Sequence, residues 1–123
     1  MGPVSVGYIV AVIVSSIQGH RFNYANEDQL QEGLAAMLAG EGFDVEREVR
    51  LSGRDRIDLL VGDVGIEVKV AGQAGRVLAQ LTRYAEHDRI GALVLVTTRV
   101  SHDAPPRING KPVALVSLVS AGL

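Results

Sequence analysis

The chain has 123 residues, with 47% hydrophobic and 21% charged side chains, so it can bury one core and is not a disordered chain. Twelve basic against fourteen acidic residues leave −2, which excludes a polybasic binder and confines any nucleic-acid contact to a local patch. Zero cysteines exclude a disulfide scaffold, a Cys-ligated zinc and a thiol nucleophile, and fit a reducing, cytoplasmic setting. The charge is uneven. Residues 1–70 hold six basic and eleven acidic side chains, and residues 71–123 hold six basic and three acidic.

The most hydrophobic stretch, residues 4–17, is shorter than the about 20 apolar residues a membrane helix needs, and no basic segment precedes it. No membrane partner is expected. Val, Ile and Tyr dominate there and both faces are apolar, which predicts an N-terminal strand. Such a strand needs a cover, and a second copy of the chain would supply one, so a homodimer is expected. Asn26 with Gln29 then forms a capping-box-like start, and Leu30, Leu34, Met37 and Leu38 recur at helical spacing until Gly40 and Gly42. Phe43, Val45, Val49 and Leu51 alternate with polar residues as a half-buried strand. Arg56–Val61 and Val64–Val70 form two more strands around Gly62-Asp63. A second helix runs from about Arg76 to His87. Ala92–Thr98 reads as a strand buried on both faces, Arg99–Pro112 as a loop and Val113–Val119 as a last strand.

The chemistry concentrates on the hairpin around Gly62-Asp63. A two-residue turn places Asp58 opposite Glu67, and a four-residue loop places it opposite Lys69. Either register puts Asp58, Glu67 and Lys69 on one sheet face, with Ile57, Leu59, Val61, Ile66, Val68 and Val70 on the other. Two carboxylates at cross-strand distance repel unless a cation lies between them, so a hard divalent cation fits. A ladder of ion pairs through Arg56 and Lys69 fits equally well. Glu27 opens the inward stripe of the first helix, with Leu30, Gln31, Leu34 and Leu38. The second helix carries a polar stripe of Arg76, Gln80, Arg83, Tyr84 and His87.

Glu27 in a helix, then Asp58, then Glu67-Val68-Lys69, then Gln80-Leu81-Thr82-Arg83-Tyr84 resemble the PD-(D/E)xK nuclease superfamily in its RecB-type QxxxY variant. Ile57 stands where that pattern often has proline. The resemblance implies an α/β fold: a restriction-endonuclease-like mixed sheet flanked by helices, with an αβββαβ core over residues 26–98. The N-terminal strand 4–17 and the C-terminal loop and strand 99–119 would be additions to it, within one domain spanning residues 1–123. It implies a Mg²⁺- or Mn²⁺-dependent nuclease hydrolysing phosphodiester bonds of DNA. Structure-specific or processing activity is expected, similar to small Holliday-junction resolvases in repair or recombination. Asp58, Glu67, the Val68 carbonyl and Glu27 would hold the metal, Lys69 would position the attacking water and Gln80 would orient the site. Tyr84, Arg76, Arg83, Arg99, Arg107 and Lys111 would contact nucleic acid. RNA as the substrate of a defence nuclease, or a non-catalytic binding module on the same fold, are the competing expectations.

Overall fold

The computed structural model describes residues 5–118. The first element, α1 (Val6–Gln18), is a helix and not the expected strand. Ser5 caps it, accepting from the Tyr8 N–H at 3.2 Å, and Gly19 ends it. Its buried residues are Val10, Ile13 and Ile17, spaced by three and four, so burial follows the helical period. The β-branched residues cost it only a few tenths of a kcal/mol each, less than packing one apolar face returns. Among the described residues the expected edge strand, which would have called for a second copy, is replaced by this helix. Val4 and Val119, named as strand termini, lie outside the described residues.

The second helix, α2 (Glu27–Gly40), starts as its capping signal indicates. Asn26 Oδ1 accepts from the Gln29 N–H at 2.9 Å, and Gln29 Oε1 accepts from the Ala25 N–H at 2.7 Å. It ends on Gly42 at φ +97, with the Phe43 N–H bonded to the Leu38 carbonyl at 3.1 Å and the Gly42 N–H to Ala39 at 3.0 Å. That is a Schellman closure, which needs the left-handed backbone glycine allows.

Next come β1 (Val45–Arg50), β2 (Arg56–Val61), β3 (Val64–Lys69), α3 (Ala74–Tyr84) and β4 (Ala92–Thr97). The segment expected as a loop contains β5 (Arg107–Ile108), and β6 (Lys111–Ser117) starts ahead of Val113. Asn109 and Gly110 both have positive φ, 52° and 74°, as a tight hairpin turn requires. The sheet order is β1-β2-β3-β4-β6-β5. The first three strands are antiparallel, and β4 lies parallel to both β3 and β6. The described residues thus form a mixed six-stranded α/β sheet with three helices, and from α2 to β4 the order is α-β-β-β-α-β.

Both faces of the sheet are packed. On one, α1 and α2 cover Leu59, Val61, Ile66, Val68, Val94 and Val96. On the other, α3 covers Val49, Ile57, Leu60, Leu93 and Leu95. Ile57 therefore lies opposite Leu59 and Val61, not beside them as strict alternation predicts. Val45 and Val49 are divided between the faces in the same way. On β1 the change falls at Glu48, whose φ of +53 is left-handed and breaks that strand's two-residue period. The β1–β2 register passes from Arg47↔Leu59 to Val49↔Ile57 without a Glu48–Asp58 pair.

Candidate active site

The β2–β3 register is Val61↔Val64, Leu60↔Gly65 and Leu59↔Ile66, so the two-residue turn is the one formed. Beyond Leu59 and Ile66 the ladder gives way to a fork. There the Glu67 Oε1 accepts from the Asp58 N–H at 3.3 Å, and Asp58 Oδ2 accepts from the Val68 N–H at 2.8 Å. Two side-chain carboxylates thus stand where strand carbonyls would otherwise accept. Lys69 Nζ lies 3.0 Å from Glu67 Oε2. From α2, Glu27 Oε1 accepts from the Val70 N–H at 3.1 Å, and the buried Gln31 donates to the Asp58 carbonyl at 3.2 Å. Asp58, Glu67, Lys69 and Glu27 are brought together at the fork.

Burial dominates the electrostatics. The Glu67 side chain is 2% exposed, and burial, then the neighbouring Asp58, push its carboxyl up to about 8 against the pull of Lys69. Asp58 is also raised, first by burial and further by Glu27 and Glu48, while the Val68 N–H and Lys69 oppose the shift. Burial alone would lower Lys69, but Glu67, Glu27 and Asp58 outweigh it, so the ammonium is raised. All three groups therefore hold protons more tightly than in water.

Tyr84 does not face out toward a strand of nucleic acid as expected. It is 1% exposed, packed with Val77 and Leu81 at spacings of seven and three. Its hydroxyl donates to the Arg56 carbonyl at 2.9 Å and stands 3.4 Å from Glu67 Oε2. Burial and the adjacent Glu67 raise its pKa, so it remains a donor. Gln80 lines a neighbouring pocket with Arg83. Arg83 Nε is held by Asp55 Oδ1 at 3.1 Å, and His87 Nε2 by Asp55 Oδ2 at 3.0 Å. His87, then Arg83, hold the Asp55 carboxyl low against its burial.

The other expected phosphate contacts are dispersed. Arg76 is exposed in the first turn of α3, and Arg99 is exposed after β4. Arg107 donates to the Gly110 carbonyl at 3.1 Å, and Lys111 is committed to the His87 carbonyl at 3.0 Å. Val68 supplies its N–H to Asp58. Sequence reasoning missed Asp55 and Glu48, and it placed Gln31 on the inward stripe without a role.

Among the described residues no three His, Asp or Glu side chains stand close enough to hold a metal ion by themselves. The fork offers two carboxylates, which suits Mg²⁺, an ion that keeps several waters and often takes one or two protein carboxylates. Among the described residues no helix is long and apolar enough to cross a membrane. No family model matches the chain, and neither a curated protein nor a solved structure matches it.

Proposed function

We propose that the chain is a metal-dependent nuclease of the PD-(D/E)xK type that hydrolyses phosphodiester bonds of DNA in a structure-specific or processing role. The observation that carries this reading is the fork itself, where Glu67 accepts from the Asp58 N–H, Asp58 accepts from the Val68 N–H, and Lys69 Nζ lies 3.0 Å from Glu67. Mg²⁺ or Mn²⁺, held there by Asp58 and Glu67 with Glu27 beside them, would supply Lewis-acid polarisation and a more acidic water. The protein's own residues do the positioning. Tyr84 and Lys69 fix Glu67 Oε2, Gln31 pins the backbone at Asp58, and Glu27 pins the end of β3 at Val70. Lys69 retains donors for a water or for a phosphate oxygen at the open side of the fork.

The test is to incubate the purified chain with a plasmid, a branched duplex and an RNA, in Mg²⁺, Mn²⁺ or EDTA, with Lys69→Ala as control. Cleavage of DNA that requires metal and Lys69 is expected. Cleavage of RNA alone would move the substrate to RNA. A second reading, a non-catalytic nucleic-acid-binding module, draws on the Lys69–Glu67 ion pair acting as a structural tie. Binding without cleavage in any metal would favour it.

A further inference from the structure

Beside the fork lies a pocket of about 290 Å³ lined by Arg50, Arg54, Asp55, Arg56, Gln80, Arg83 and Tyr84. Four guanidinium groups around one pocket demand a reason, because like charges repel. Two of them are neutralised locally. Arg83 is paired with Asp55 at 3.1 Å, and Arg56 with Glu48 at 3.1 Å. Arg50 donates to the Gly53 carbonyl at 3.0 Å, and neither Arg50 nor Arg54 has an ion-pair partner among the described residues. Two cationic charges are therefore left uncompensated. A phosphodiester carries one negative charge, whereas a phosphomonoester carries about 1.5 to 2 at neutral pH and has three acceptor oxygens. Guanidinium forks match those oxygens in geometry as well as charge.

The pocket and the fork share one wall. Tyr84 lines the pocket, and its hydroxyl lies 3.4 Å from Glu67 Oε2. Arg56 lines it too, and the Arg56 carbonyl accepts from that hydroxyl at 2.9 Å. A group seated among the arginines is separated from the carboxylates by about one side chain. We infer that this pocket holds a phosphomonoester, the terminal phosphate of a nucleic-acid strand lying across the fork. The identity of the strand rests on the nuclease reading, but the charge match does not.

The test uses the full chain in EDTA and reads binding by fluorescence anisotropy. Three probes of one single-stranded DNA sequence are compared, bearing a 5′-phosphate, a 3′-phosphate or hydroxyls at both ends. One phosphorylated end should bind about tenfold tighter than the hydroxyl probe. That advantage should be lost in Arg54→Ala, an exposed loop residue, and in Arg50→Ala/Arg54→Ala, while Arg21→Ala, an exposed arginine outside the pocket, retains it. Equal binding of all three probes, or an advantage that survives the double variant, would overturn the assignment. A mononucleotide or inorganic phosphate that competes at the same concentration as the phosphorylated strand would assign the pocket to a small phosphate instead. End preference without cleavage in Mg²⁺ would reject the nuclease reading and keep the pocket, and cleavage without end preference would do the reverse.

Discussion

At its closed end the β2–β3 hairpin is held by apolar pairs, Leu59 with Ile66 and Val61 with Val64, around a turn whose Gly62 has φ +59. At its open end, a few residues away in the same two strands, Asp58 and Glu67 replace ladder carbonyls with carboxylates. The closed end gathers burial and the open end gathers charge. The difference teaches how a small domain carries an unfavourable cluster. The repulsion sits where two strands diverge, and the neighbouring ladder, packed on both faces, holds its geometry. Glu48 is part of that arrangement. Its left-handed backbone turns β1 at the level of Asp58, and its carboxylate raises Asp58 further.

The largest expected effect is at the open end. Asp58→Asn keeps an acceptor for the Val68 N–H but loses the charge, so cleavage should fall by about a thousandfold or more with an unchanged circular dichroism spectrum. Wild-type rates in that variant would separate the fork from the chemistry. At the closed end the effect should be on stability instead. A Cβ on Gly65 would meet Ile57 Cδ1, with Ile90 Cδ1 at 3.0 Å and Leu93 Cδ2 at 3.2 Å, so Gly65→Ala should cost about 2 kcal/mol in urea unfolding. Any loss of activity in it should follow the folded fraction.

Glu67→Gln sharpens the contrast through pH. The folded-state carboxyl is pushed up to about 8 from an ordinary 4.5, so the folded state binds the extra proton between those values. The stability this carries is complete below about 4.5 and is lost as pH rises through about 8. In metal-free buffer near pH 9 the variant should therefore melt about 5 °C above wild type, and the gap should close toward pH 5. A gap that stays constant with pH would remove Glu67 as its source. The smallest effect belongs to Asn26→Ala, which loses the cap on the Gln29 N–H and should cost about 1 kcal/mol without altering metal binding.

Much of this contrast is written in the sequence. The Asn26–Gln29 cap, the Glu27–Gln31 stripe, a reversal at Gly62-Asp63 and the apolar β4 follow from local rules that tertiary packing leaves in force, while the choice between a two-residue turn and a four-residue loop needed the register itself. Residues 5–18 do not, because a stretch apolar on both strand faces is apolar on every helix face as well. Only the spacing of Val10, Ile13 and Ile17 shows which face is buried. Tyr84 could have been placed inward, since it continues the stripe of Val77 and Leu81, but its polar neighbours on α3 drew it outward. Asn109-Gly110 signals a hairpin that the nearby prolines masked. The face switch at Glu48 has no local signature, because glutamate is not a residue that favours positive φ. At the same level of the sheet Ile57 and Leu59 part company, and Asp58 meets Glu67 at a fork, not across a regular ladder.

Calorimetric titration of Mn²⁺ into wild type, Asp58→Asn and Glu67→Gln at about pH 7.5 tests the fork most directly, because paired hard carboxylates should act as one cation site. One saturable site is expected in wild type and none in either variant, with all three folded by circular dichroism. No binding to wild type, or equal binding to all three, would contradict the assignment of Asp58 and Glu67 as its ligands.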